Sequence, residues 1–244
     1  FLISIFPFRI HMLQRTLFTL HNSWNVIKLR NQILNFIVML ASKKICACGI
    51  ASKKSIPRLI NFFIGRKTIS VVNGFDNNRI DTIERNKKYI RHFNKNTKIK
   101  ILCIGALNDT KNQISLLKVL KDINIKAEVI FLGDGKNKDK LIDFSKYFVN
   151  CTKTIFKGRV SRNIAIEHML EADVSVSLSK GEGLPIAVLE SMYAGCFQIL
   201  SKIPPHKEIS PPSKRCIIVD ESNKQEIIRS LKFVEENILS IKTE

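Results

Sequence analysis

The sequence predicts an α/β protein built from two doubly wound parallel-sheet units, the first of them incomplete. Three observations carry this. From about residue 98, short Val/Ile/Leu runs alternate with helix-length amphipathic segments, the pattern of strands covered on both faces. The connection rules for parallel strands then give one doubly wound sheet of about six strands. Before residue 75 the same alternation yields three strands, where a full unit of this kind needs about three more.

In chain order, TLFTLHN (16–22), KKICACGI (43–50) and KTISVVNG (67–74) are the predicted strands of a partial first domain, residues 1–75. The stretch 76–97 is polar and charged and is predicted as an interdomain linker. The second domain, 98–244, opens with IKILCIG (99–105) and a helix near 111–121, whose apolar face uses Ile114, Leu117, Val119 and Leu120. AEVIFLG (127–133) precedes a polar helix near 136–148, and KTIFKG (153–158) a helix near 162–171. DVSVSL (173–178) leads through SKGEGL to a helix near 185–195. FQILS (197–201) then leads to PPHKEI, and RCIIVD (215–220) to a final helix near 223–238.

At 244 residues and 45% hydrophobic, the chain has enough material for one large or two small globular domains. No apolar run approaches the ~18–20 residues of a membrane span. FLISIFPF and ILNFIVMLA (33–41) come nearest and are expected in a core. No basic segment precedes the first apolar run, so no signal peptide is expected, and a start at Phe1 suggests a fragment. Six cysteines without paired metal spacing read as small core residues of a reducing, cytoplasmic setting.

The net charge of +19 is unevenly spread. Residues 1–75 hold eleven Lys or Arg and no acid, whereas from residue 101 there are 21 basic and 18 acidic residues. An AT-rich genome inflates lysine but does not remove acids. An anionic membrane surface or anionic ligand is therefore expected at the first part.

Ligands of an open parallel sheet bind at the carboxyl ends of its strands, beside helix N-termini. Three loops there have unusual composition: Gly105 to Asn112, Gly133-Asp134-Gly135, and Lys180 to Leu184. In the last, Gly181 and Gly183 permit close backbone approach to a ligand. Pro185 suits a first helical position, and the free N–H groups behind it make an anion site. Glu182 and Glu190 stand eight positions apart. Within one helix they would lie about 80° apart around the axis, but with Glu182 on the loop both can follow one elongated ligand. Carboxylates only accept hydrogen bonds and so suit the hydroxyls of a sugar and a ribose. Lys111 offers positive charge to a diphosphate. No D-x-D pair occurs, so lysine and the helix dipole, with no metal, are expected to neutralise the phosphates. The plain alternative is a glycine-rich turn with Glu190 as a solvated helix residue.

GEGLPIAVLESMYAG resembles the E-x7-E signature of retaining nucleotide-sugar glycosyltransferases with two Rossmann domains, the GT-B type of glycosyltransferase family four. SVVNGFD, ILCIGALNDTKN, VIFLGDG, IFKGRVS and LSKIPPHKEI resemble further elements of that family, in its order and across residues 70–220. The resemblance implies a UDP-sugar or GDP-sugar donor and a saccharide or lipid-linked acceptor in surface polysaccharide synthesis. It also implies a peripheral position at the inner face of the cell membrane. By the same resemblance, Glu182 contacts the donor sugar, Gly183 and Leu184 offer backbone N–H groups to the phosphates, and Glu190 holds the ribose. Gly105 belongs to the phosphate loop, Lys111 binds the diphosphate, and Val160 lies beside the base. His21, in TLHNSWN, would lie near the reacting sugar as a catalytic residue; its alternative is an ordinary strand-end histidine. His11, His92, His168 and His206 have no comparable support. One departure is Ala106, where the family has Arg, so either another basic residue substitutes, with Lys180 near Glu182 in sequence the candidate, or donor affinity is lower.

Two other readings stay open. A sugar-nucleotide epimerase shares the two-domain fold but not the paired glutamates. A basic nucleic-acid-binding module would need aromatic stacking clusters, and one Trp and three Tyr supply few. No nucleic acid is expected as a partner. A dehydrogenase is disfavoured because no G-x-G-x-x-G follows a strand.

Overall fold

The computed structural model of the chain describes residues 15–87, 98–146, 148, 152–210 and 215–243. It divides into two compact units. The first holds the described residues up to Gly74 together with Gly181–Leu184, and the second holds the remainder from Phe75 onward.

The first unit is a three-stranded parallel sheet in the order β1-β2-β3. Its elements run β1 (Leu17–Leu20), α1 (Leu29–Ala41), β2 (Lys44–Ala47), α2 (Ile50–Lys54), α3 (Arg58–Ile64) and β3 (Thr68–Ser70). Leu17 pairs with Lys44, and Ile45 with Thr68. Leu20, Trp24, Met39, Ile45, Ile56 and Ile64 form its core. Helix α1 is apolar around most of its circumference, so one stripe packs inward at Met39 while Leu29, Ile33, Leu34, Ile37 and Leu40 remain exposed.

The second unit is a six-stranded, wholly parallel sheet in the order β6-β5-β4-β7-β8-β9. It begins with α4 (Asn77–Lys87), then β4 (Ile99–Ile104), α5 (Gln113–Asp122), β5 (Ala127–Leu132), α6 (Lys138–Ser145) and β6 (Lys153–Gly158). The second half continues through α7 (Arg162–Glu171), β7 (Val174–Ser177), α8 (Ile186–Tyr193), β8 (Phe197–Ser201), α9 (Pro204–Ile209), β9 (Cys216–Val219) and α10 (Lys224–Thr243). The inner strands are nearly continuous hydrophobic runs because both of their faces are covered. Along β4, Ile101 and Cys103 join one core, with residues of α5, α6 and α10, while Leu102 joins the other. That second core is closed by Ile166, Met169 and Leu170 of α7 and by Ile80 of α4. Burying each such side chain contributes about 1.5–3 kcal/mol. Five free cysteines are among the described residues; burial pushes the Cys103 thiol up to about 12, as suits a core residue.

Two details differ from the sequence reading. The first half of the segment read as linker is a helix, α4, anchored by Ile80 and, on the same face, Ile83. The helix carrying the second glutamate starts at Ile186, with Pro185 in the capping position rather than inside the first turn. Among the described residues no helix is long and apolar enough to cross a membrane.

Candidate functional site

The strand order of the second unit reverses between β4 and β7, since β4, β5 and β6 run one way from the middle and β7, β8 and β9 the other. That switch point leaves a crevice at the carboxyl ends of the two central strands. Two loops leave there, and they are tied together. The Lys180 N–H donates to the Thr110 carbonyl at 2.8 Å. The Asn112 side-chain amide donates to the Leu178 carbonyl at 3.2 Å, while its Oδ1 accepts from Ser115 Oγ. Asn112 holds a left-handed conformation (φ 54°), which asparagine tolerates better than most residues.

Gly105 and Lys111 are brought together in this loop. A β-carbon built on Gly105 would lie 3.3 Å from Lys111 Cε and 3.6 Å from its Nζ, so the lysine end arches over the strand terminus. The next strand end approaches the same loop. A β-carbon on Gly133 would stand 2.0 Å from the Gly105 carbonyl oxygen, and Gly133 also has φ +141°. Only glycine fits both demands. Asp109 is bound by Lys136 and by Asn137, and these hydrogen bonds, that of Lys136 first, pull its carboxyl down to about 2.

Val160 follows β6 and packs partly against the second core. Ser161 caps α7, its hydroxyl accepting from the Ile164 N–H. Arg162, the first residue of α7, is ion-paired with Glu190 on α8. Glu190 is thus not a solvated helix residue: it is 6% exposed, and Arg162 is its charged partner. Arg162 was not legible as a site residue, because its partner lies 28 positions away on another helix.

The other predicted residues belong to the first unit. Gly183 bridges to Asn22, and a β-carbon on it would fall 1.6 Å from the His21 carbonyl oxygen. The Ser23 N–H and hydroxyl both donate to the Glu182 carbonyl, the former at 3.0 Å. Glu182 and Leu184 are buried. His21, Glu182, Gly183 and Leu184 are therefore neighbours in one unit. Just beyond β2, Cys48 places its sulfur 3.5 Å from His21 Nδ1, and Asn73, just past β3, hydrogen-bonds the same thiol. Burial raises the Cys48 thiol above its ordinary range. The three strand ends of this unit thus supply one imidazole, one thiol and one amide to a single cluster.

Of the remaining histidines, His206 is fully buried between Ser201 and Ser177, and His168 sits on α7. His11 and His92 lie outside the described residues. Among the described residues, no three His, Cys, Asp or Glu side chains are grouped to hold a metal ion.

Residues 84–241 match the family model "Glycosyl transferases group 1". The capsular polysaccharide biosynthesis glycosyltransferase CapH of Staphylococcus aureus is 25% identical over 195 residues, covering 75% of this chain and 49% of CapH. The chain thus spans about half the length of that relative. Among solved structures, HepE of Anabaena in complex with UDP and glucose superposes with a TM-score of 0.73 at 15% identity, covering 93% of this chain and 63% of HepE. TarM of Staphylococcus aureus, in a complex that includes UDP, gives 0.73 at 14% identity, covering 93% of this chain and 45% of TarM. At such identities the likeness is one of fold, and that fold is GT-B: two Rossmann-like units, here with three strands described in the first and six in the second. With the family model matched over well more than half of its length, the chain belongs to the group 1 glycosyl transferases.

Proposed function

We propose that this chain binds a nucleotide-diphosphate sugar and serves its transfer, with retention, to a saccharide or lipid-linked acceptor in surface polysaccharide synthesis. One observation carries the reading. At the switch point of the six-stranded sheet, the Gly105–Lys111 loop and the start of the paired-glutamate stretch are tied together, with the second glutamate buried on the helix that follows.

In this reading Gly105 and Lys111 take the diphosphate, Val160 lies beside the base and Glu190 accepts from the ribose hydroxyls. Gly183 and Leu184 give backbone N–H groups to the phosphates, Glu182 contacts the sugar hydroxyls, and His21 acts near the reacting carbon. The bond from the anomeric carbon to the diphosphate oxygen breaks through an oxocarbenium-like state. The acceptor oxygen bonds to the same face, and its proton passes to the departing diphosphate. The protein contributes positioning and stabilisation of the leaving charge, through Lys111 and the N-terminus of α8, without a metal.

CapH supports the polysaccharide assignment, and the UDP named in the HepE and TarM structures supports the donor class. The acid-free stretch of residues 1–75 supports a peripheral seat on the inner, anionic face of the cell membrane. Its exposed apolar side chains on α1, with Phe62 and Phe63 on α3, suit the same seat.

The test is isothermal titration of this chain with UDP, GDP, UDP-sugars and GDP-mannose, without added metal. Micromolar binding of one nucleotide, lost in Glu190→Ala, is expected. No binding to any of them, or equal binding by Glu190→Ala, would overturn the reading.

A further inference from the structure

We infer that Arg162 is a second ribose-recognising residue, which brackets the sugar hydroxyls together with Glu190 and makes the site demand a ribonucleotide. The inference rests on the donor reading above.

The pair is an unusual one to build for stability alone. Arg162 opens α7, where the helix dipole disfavours a cation, and its side chain remains 44% exposed. Its partner Glu190 is withdrawn from water, its side chain 8% exposed. Ion pairs with a buried member are close to neutral for folding, because desolvation offsets the attraction. Stability therefore gives little reason to place a cation at the wrong end of a helix.

Recognition gives one. The carboxylate only accepts and the guanidinium only donates, with five N–H groups in a fixed fork. The structure engages Nη2 of that fork with Oε1 of Glu190. A hydroxyl donates and accepts through a single oxygen. A ribose hydroxyl can therefore give its proton to the Glu190 carboxylate while its oxygen accepts from the half-exposed Arg162 fork. A deoxy position can do neither. A site that hydrogen-bonds a hydroxyl rejects the analogue lacking it, since its polar groups are then left unpaired. Position along the chain agrees: Arg162 stands two residues after Val160, the residue assigned to the base, so base and ribose would be read by one turn and the helix that follows it.

The experiment measures, by titration calorimetry on the full chain, the affinity for UDP and GDP and for their 2′-deoxy and 3′-deoxy counterparts. The wild type is expected to prefer the ribose form of the accepted base by about tenfold or more. Arg162→Met should weaken the ribose form by about tenfold and leave at least one deoxy form nearly unchanged, collapsing that ratio. Arg162→Lys, which keeps charge but loses the fork, should fall between. Melting curves of the variants check that they fold.

An Arg162→Met variant that binds the ribose form as tightly as the wild type refutes the inference. So does one that loses ribose and deoxy forms in equal measure, which would make Arg162 a clip between α7 and α8. Wild-type protein that binds no nucleoside diphosphate refutes the donor reading itself. Donor binding lost in Glu190→Ala but untouched in Arg162→Met leaves that reading standing and this one overturned.

Discussion

Replacing Gly183 by Ala tests how the glutamate-bearing loop is held. A β-carbon there would stand 1.6 Å from the His21 carbonyl oxygen, 2.7 Å from the carbonyl carbon and 3.3 Å from Asn22 Cα. These are backbone atoms, so no side chain can swing away and the loop itself must lift. Overpacking of this kind costs about 1–3 kcal/mol. Lifting also breaks the two hydrogen bonds from Ser23 to the Glu182 carbonyl, each worth about 1 kcal/mol. Alanine restricts the unfolded chain and returns somewhat under 1 kcal/mol. The net is about 3 kcal/mol, or on the order of a hundredfold in the equilibrium between docked and released loop. Hydrogen exchange at the Ser23 amide reads this directly, since that N–H points at Glu182. Its exchange should accelerate by about a hundredfold in Gly183→Ala. Gly74→Ala, where a β-carbon meets nothing within 4 Å, is the control and should leave it unchanged. Unchanged Ser23 exchange in Gly183→Ala would refute the steric argument.

Two further outcomes are expected. Burial, the largest cause, lowers the His168 imidazole below its usual 6.5, and its Nδ1 is buried without a hydrogen-bond partner. The folded state therefore binds the proton less readily than the unfolded one. This group's contribution to stability is full above about pH 6.5 and is lost as pH falls toward its lowered folded value. Glu171, Lys157, Glu167 and Lys100 also act on it and partly cancel. Melting temperatures from pH 8 to 5 should fall less steeply for His168→Gln than for wild type, and parallel curves would refute the claim. At the first unit, Phe62 is 82% exposed beside Phe63, and both should insert into a lipid surface. The double variant Phe62→Ser, Phe63→Ser should weaken cosedimentation with phosphatidylserine-containing vesicles by about tenfold or more. Equal cosedimentation would refute membrane seating through α3.

The strands were legible because an inner parallel strand must be largely hydrophobic on both faces, which writes a near-continuous run into the sequence; AEVIFL, broken only by Glu128, and FQILS, broken only by Gln198 before its last residue, became β5 and β8. Helix α4 was not, because it enters the core through Ile80 and Ile83 alone, in a segment otherwise polar and charged, too few apolar points to mark a period. The paired glutamates were visible by spacing, and the glycines by composition. Arg162 was hidden because the ion pair is made by two helices that the strand order brings onto the same face of the sheet. Cys48 and Asn73 sit just beyond strand ends, as His21 does, but cysteine among Ile and Ala reads as core. What the sequence displays is periodicity and punctuation; what it conceals is which distant side chains the topology brings together.

The docking of Gly181–Leu184 with the first unit has a consequence for the order of events on the ribosome. The hydrogen bond from Ser23 to Glu182 spans 159 residues, and the one from the Lys100 amide to Asp173, beside the β4–β7 join, spans 73. Among the described residues every strand pairing in both sheets is parallel, so each of these pairings waits for a crossover to close. At about 5–20 residues per second, roughly 5–20 s separates synthesis of Gly74 from that of the loop that joins its unit. Through that interval the three-stranded sheet stands without Gly181–Leu184. Of the two sheets, the one made earlier is the one that receives a segment made later.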